Sequence, residues 1–334
     1  MKMEQGELEA AKDRLREISG MVQQHLEDSV SMFAVLESQS EQEAFVLKCI
    51  EVKRNDDTLE FDRHLFESAL EAYTNEESAY ADIREALEDK NKVAVAHVDF
   101  FAGNEEKGTG GQVLELCEKA MHLAQDNESC EVFSVDDIDR VLGVVFRYAV
   151  GKDAIYAYQK VPRMWVAKRS GMLLPRREGF ELYTKESLKF GAHFDFLMCA
   201  RYLFVRKIAT LEQQFGFVDI FKNHASDVCR DLGELIIDEQ NLLQGQIDAA
   251  TMSIVRKLVK VQASPVLRME RSVLRRRLSE IDAYRNEFTF DDDDRIVLRY
   301  KKDIRPFLKM LNDEIVHSPL TGTMYESPNK TLIQ

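Results

Sequence analysis

Residues 188–217, LKFGAHFDFLMCARYLFVRKIATLEQQFGF, constrain the fold more than any other stretch. Two short runs rich in aromatic and branched residues, Phe194–Met198 and Tyr202–Val205, flank Cys199-Ala200-Arg201. Each run has strand length, and so short a link predicts an antiparallel hairpin. Ile208, Leu211 and Phe215 then recur at helical spacing, and Gly216 interrupts that helix before a second apolar cluster opens at Phe217. Asp195 sits between Phe194 and Phe196, and a carboxylate among aromatics needs an exposed strand face or a specific partner. Hairpin followed by helix marks a compact domain and names no chemistry.

The chain has 334 residues, room for two domains, and 45% of them are hydrophobic, enough for a core. Five cysteines (Cys49, Cys117, Cys130, Cys199, Cys229) are scattered and never form C-x-x-C. That usage predicts a reduced intracellular chain with neither a disulfide framework nor a zinc site. The opening MKMEQGELEAAKDRL is too charged for a signal peptide, and no apolar run approaches ~18 residues. A cytoplasmic protein without direct membrane insertion is expected.

The net charge of −14 argues against nucleic acid until it is divided along the chain. Residues 1–140 hold 14 Lys+Arg against 34 Asp+Glu, a balance of −20. Residues 141–207 hold 13 against 5, a balance of +8, and residues 208–334 hold 18 against 20, a balance of −2. A basic middle behind an acidic first third hints at polyanion binding. Docking of the basic part on the acidic one is the competing explanation.

Taken in order, residues 4–28 read as a helix with the stripe Leu8, Ala11, Leu15, Ile18 and Val22. Ser29–Ser38 and Glu43–Val52 read as strands, Asn55–Thr58 as a turn, Phe61–Tyr73 as a helix and Lys92–Phe100 as a strand. Gly103–Gly111 is a glycine-rich loop and Gln112–Gln125 a helix. The loop has the Gly spacing of a phosphate cradle but lacks the Lys and hydroxyl after the second Gly, so no nucleotide site is assigned. Val141–Ala149 and Ala154–Val161 form a hairpin across Val150-Gly151-Lys152-Asp153. Residues 161–180 then read as a long surface loop or loose strand pair carrying Arg163, Lys168, Arg169, Arg176, Arg177 and the single Trp, Trp165.

The C-terminal part reads as helical. Val228, Leu232, Leu235, Ile236 and Leu243 mark one amphipathic helix, and Ile254, Leu258 and Val261 a second. Leu274, Leu278 and Ile281 mark a third, carrying Arg275, Arg276 and Arg277. A short strand, Ile296–Tyr300, follows the acidic turn Asp291–Asp294. Ile304, Phe307, Leu308, Leu311 and Ile315 mark a last helix, and a polar tail begins near His317. The fold class is therefore α+β, with mixed or antiparallel sheets, amphipathic helices and a helical C-terminal part. The charge change divides it into an acidic domain, 1–135, and a domain 136–334 made of a basic hairpin region, 136–207, and a helical region, 208–334.

No metal or cofactor site emerges. The seven His residues stand at no ligand spacing, and no Gly-x-Ser-x-Gly raises a nucleophile. Asp195 with Glu181 and Lys185 is the one arrangement that can be drawn as a metal-dependent nuclease, although its spacing is not distinctive. The positive feature is the basic middle. Its Lys and Arg groups suit phosphates, and Trp165 is either a stacking platform for an exposed base or a core anchor. The candidate DNA contacts are Lys160, Arg163, Trp165, Lys168, Arg169, Arg176, Arg177, Arg206, Lys207, Arg275, Arg276 and Arg277.

The block FDFLMCARYLFVRKIATLEQQFGF, the hairpin ending AIYAYQKV, and the stretch Leu311-Asn312-Asp313-Glu314 through Ser318-Pro319-Leu320-Thr321-Gly322, Tyr325, Ser327 and Lys330 resemble the KwaB-like family of Kiwa antiphage defence. The resemblance is clearest from about residue 140 to 222 and from 303 to 331. It implies a bacterial, intracellular α+β protein that forms homodimers and binds DNA without marked sequence preference. It also implies a small membrane partner, KwaA, and no established enzymatic motif. It transfers no DNA-binding residue, so the candidates above rest on charge. A nuclease and a protein-only adaptor remain the alternatives.

Overall fold

Alternation of buried side chains sets the architecture. In β1 (Val30–Glu37), Met32, Ala34 and Leu36 join one core while Phe33 and Val35 are buried on the opposite side. Successive side chains of a strand point to opposite faces, so a strand buried on both must lie between two layers. The computed structural model describes residues 3–26, 30–39, 44–51, 56–75, 78–87, 92–97, 111–125, 131–162, 166–167, 172–176, 179–183, 187–188, 191, 193–238, 240–262, 264–318 and 320–327. For residues 56–59, 135, 166–167, 172–176, 179–183, 187–188 and 317 it describes the backbone alone.

The chain forms two compact units: Met1–Asp82 with Asn91–Phe215, and Ile83–Lys90 with Gly216–Gln334. The first is built on an eight-stranded sheet. Its strands are β1, β2 (Phe45–Cys49), β3 (Ala79–Asp82), β4 (Lys92–His97), β5 (Val141–Val150), β6 (Asp153–Lys160), β11 (Phe196–Cys199) and β12 (Tyr202–Val205), in the order β2-β1-β5-β6-β11-β12-β4-β3. Every neighbouring pair is antiparallel except β3 with β4. The sheet thus takes strands from both sides of residue 135.

One face is covered by α1 (Gln5–Gln24) and α2 (Asp56–Thr74). The expected stripe Leu8, Ala11, Leu15, Ile18 and Val22 is wholly buried there, against Leu65, Phe66, Ala69 and Tyr73 of α2 and Val144, Phe146 and Tyr148 of β5. Side chains of this size contribute roughly 1.5–3 kcal/mol each when fully buried. The other face carries α3 (Gly111–Gln125), buried through Val113, Leu116 and Ala120, and α4 (Ile208–Gln214). Phe215, just past α4, meets the rings of Tyr158 at 5.1 Å and Phe196 at 5.3 Å, both edge-on. Gly143 lies under this cluster, where a Cβ would stand 2.2 Å from the Tyr158 hydroxyl. Glycine leaves that hydroxyl room to donate to Gln214 Oε1 at 2.8 Å.

Between β6 and β11 the chain leaves the sheet. β7 (Val166–Ala167) pairs with β10 (Ser187–Leu188), and β8 (Met172–Arg176) pairs with β9 (Gly179–Tyr183). The two antiparallel ladders are nested in sequence, within the stretch expected as a long surface loop or loose strand pair, and the segment that carries them is called the ribbon below.

In the second unit, α5 (Phe217–Asp231) packs on α6 (Leu242–Asp248) and α7 (Met252–Val261), and α7 packs on α9 (Ile304–Leu311). α8 (Arg271–Glu280) buries Leu274 and Leu278. A small sheet has the order β13 (Ile236–Ile237), β15 (Ile296–Val297), β14 (Thr289–Phe290). The hairpin β16 (Ile315–His317) with β17 (Met324–Glu326) closes the described chain.

Several expectations are corrected. Val228–Leu243 is not one helix: α5 stops at Asp231, β13 intervenes, and Asp238 caps α6 by accepting from Leu242 N and Leu243 N. Ile315 does not extend the last helix, because Asp313 turns left-handed (φ 50°) and sends the chain into β16. The expected polar tail contains the strand β17. Asp56, Asp57 and Thr58 open α2 instead of forming a turn, as acidic residues at a helix start favour. The strand expected at Ile296–Tyr300 ends at Val297. Cys117, Cys199 and Cys229 are free, but Cys49 is disulfide-bonded, a pairing that spacing along the sequence does not reveal. Of the glycine-rich loop only Gly111 lies within the described residues.

Candidate functional site

The ribbon joins the sheet at a neck, and the neck is where charged side chains converge. Tyr158 of β6 faces Phe196 of β11 in the register, so the chain's exit and return lie side by side. Asp195, one residue before β11, is 1% exposed. Its backbone N–H donates to Tyr158 O at 2.8 Å, and its carbonyl accepts from Arg206 N and Lys207 N at 3.0 and 3.1 Å. Its carboxylate reaches across the neck, where Oδ2 accepts from Lys160 N at 2.7 Å. Lys207 Nζ lies 2.8 Å from Oδ1, an ion pair without an aligned hydrogen bond. Asp195 therefore has the specific partners its aromatic setting requires, and both oxygens are committed to the protein.

A second clamp lies beside it. The buried Gln159 amide donates to Gly191 O at 3.0 Å and to His193 O, and its Oε1 accepts from Gly191 N at 3.1 Å. The Tyr73 hydroxyl of α2 donates to Phe194 O at 2.9 Å. Burial pushes the phenols of Tyr73 and Tyr158 well up, and the Asp195 charge adds to this. Both stay neutral donors at ordinary pH.

Three of the charge-selected candidates bond to Asp195: Lys160 and Arg206 through their backbone N–H groups, and Lys207 also through the ion pair of its ammonium. Lys160 Nζ donates to Gln213 Oε1 at 2.5 Å. The Arg206 guanidinium donates to Ala72 O at 2.5 Å. Lys207, half exposed, also lies 2.6 Å from His193 Nε2. An ammonium has no lone pair to offer, so the imidazole is the acceptor in that contact and is neutral there. His193 is exposed, yet partial desolvation holds its pKa down, the Lys207 charge adds to that, and Asp195 opposes it.

The other candidates fall elsewhere. Arg176 is described by its backbone only, at the end of β8, where it pairs with Gly179. Arg163, Trp165, Lys168, Arg169, Arg177 and Lys185 lie outside the described residues. Arg275, Arg276 and Arg277 belong to the second unit, on the exposed side of α8 between the buried Leu274 and Leu278. Arg275 pairs with Asp294 and lies over the Phe290 ring at 5.2 Å. That triplet is a solvated helix face with at least one cation already paired.

Chemically, the neck offers cations held by neighbouring acceptors, beside a carboxylate that is buried and ion-paired. A metal-dependent nuclease needs carboxylates open to an ion and to water. Asp195 is buried, and no group of three or more His, Cys, Asp or Glu is placed to hold a metal among the described residues. Charge reasoning missed His193, Gln159 and Gln213. His193 was detectable, because it stands two residues before Asp195 and shares its face in an extended chain. The two glutamines left no local signal.

No curated protein and no solved structure matches the chain. A family model does: the one described as Kiwa protein KwaB-like matches residues 138–321, which contain the ribbon, the neck and most of the second unit. That span exceeds half of the chain, and the protein belongs to the KwaB-like family of Kiwa proteins.

Proposed function

We propose that the chain acts in Kiwa antiphage defence by binding DNA without sequence preference, through the cations of the ribbon and its neck. Family membership supports the defence role. The DNA reading is carried by one observation: residues 161–194, which include both ribbon ladders, hold 7 Lys+Arg against 3 Asp+Glu in a strongly acidic chain. Phosphates are the ligand that such a surface suits, and each neutralised phosphate releases counterions. The same reading has the protein work as a cytoplasmic homodimer beside a small membrane protein, KwaA, as the family resemblance implies. No helix among the described residues is long and apolar enough to cross a membrane, and membrane attachment is assigned to that partner.

The test is titration of a fluorescent duplex across a salt series, with and without magnesium. Affinity is expected to fall steeply with salt while the DNA stays intact. Arg176→Glu with Arg177→Glu should weaken binding by roughly tenfold or more and flatten the salt slope by about two phosphate contacts. Unchanged binding by that variant rejects the ribbon as the contact surface. Magnesium-dependent cleavage turns the assignment to a nuclease. Absence of binding at low salt leaves a protein-only adaptor whose basic region faces an acidic partner.

A further inference from the structure

The contact between Lys207 and His193 points to a control on the neck that rests on the DNA reading above. Lys207 Nζ is held on two sides, by Asp195 Oδ1 at 2.8 Å and by His193 Nε2 at 2.6 Å. The first partner is a buried carboxylate that the fold fixes through four backbone-linked hydrogen bonds. The second is an exposed imidazole that accepts only while neutral. The other described cations at the neck do not compete with this lysine for Asp195 Oδ1: the Lys160 ammonium is tied to Gln213, and the Arg206 guanidinium to the carbonyl of Ala72. Tyr158 and Tyr73 face the same region as neutral hydroxyls bound to Gln214 and Phe194.

We propose that His193 and Lys207 form a protonation-gated phosphate site, in which a proton on His193 releases Lys207 from the imidazole and leaves two adjacent cations for a phosphodiester. Taking up the proton removes the acceptor at Nε2 and sets an imidazolium beside an ammonium. Lys207, half exposed, keeps its ion pair with Asp195, so imidazolium and ammonium stand side by side at the surface. Described charge at the neck rises from Lys160, Arg206 and Lys207 against Asp195 to the same set plus His193. A polyanion binds the charged set better, so it draws the proton onto His193.

The sign follows from linkage. The His193 pKa is held below its ordinary 6.5 by partial desolvation and by Lys207, so in the free protein the gate opens only as pH falls below that value. The negative charge of a bound phosphate counters the Lys207 contribution and raises it. DNA affinity therefore increases as pH drops from about 7.5 to about 5.5, by roughly tenfold per unit at most, since one proton is taken up.

The experiment measures the Kd of the full chain for a fluorescent duplex at fixed ionic strength across that pH range, for wild type, His193→Gln and His193→Lys. Melting curves at each pH establish that the variants are folded. Wild type should tighten on acidification, His193→Gln should lose that dependence, and His193→Lys should bind tightly and evenly throughout. A wild-type protein that binds DNA with no pH dependence overturns the gate and leaves the DNA reading intact. A dependence that survives in His193→Gln also overturns it, because another group then carries the proton. No binding at any pH overturns both readings.

Discussion

Two buried carboxylates, Asp195 and Glu314, have each been given one lysine, and their surroundings make the pairs unequal. Glu314 is fully buried in the second unit and paired with Lys257, whose side chain is 20% exposed. Removing one partner of such a pair strands a charge in a poor solvent, at about 3–5 kcal/mol. Lys207 is 51% exposed, and water can approach Asp195 when that lysine is gone. Lys257→Ala should therefore lower stability by about 3–5 kcal/mol, and Lys207→Ala by about 1 kcal/mol or less, in urea unfolding followed by circular dichroism. Equal losses would mean that Asp195 depends on its lysine as much as Glu314 does.

At the scale of elements, the hairpin of β11 and β12 shows both what a sequence discloses and what it hides. Its strands are written in aromatic and branched residues, and its position, ending in α4 and Gly216, follows from the apolar pattern alone. Its turn is less favourable than it needs to be, since Ala200 is left-handed at φ 53° and exposed. A Cβ in that region costs energy that glycine avoids. Ala200→Gly should raise stability by about 0.5–1 kcal/mol without altering the fold, read as a higher unfolding midpoint at unchanged slope. A lower midpoint would mean that the loss of chain entropy outweighs the relief.

The hairpin β5–β6 and the stripe of α1 were equally legible, because their periods are unbroken over many residues. The break between α5 and α6 was not, because Leu235, Ile236 and Leu243 keep an apolar spacing while β13 pairs with the distant β15. Partners far apart in sequence also hid the neck. Asp195 announced that it needed a partner, but nothing local named Lys160 N or Lys207.

For the whole molecule, the first unit is one sheet assembled from distant parts of the chain, with one long excursion. Residues 161–194 leave from β6 and return to β11, which is its immediate neighbour. Neighbouring strands stand about 4.8 Å apart, so the two ends of the excursion meet almost side by side. Replacing residues 163–189 with a short Gly/Ser link, keeping Gln159, Lys160, Gly191 and Asp195, should leave a folded chain with a similar melting temperature and no measurable DNA binding. Loss of folding would show that the ribbon belongs to the core, and retained binding would move the contact surface elsewhere. A fold closed behind its own insertion holds that insertion as a replaceable cassette. Length and charge of that excursion can then be altered without disturbing the sheet beneath, so the segment between β6 and β11 is the place in this unit where an insertion or deletion costs the fold least.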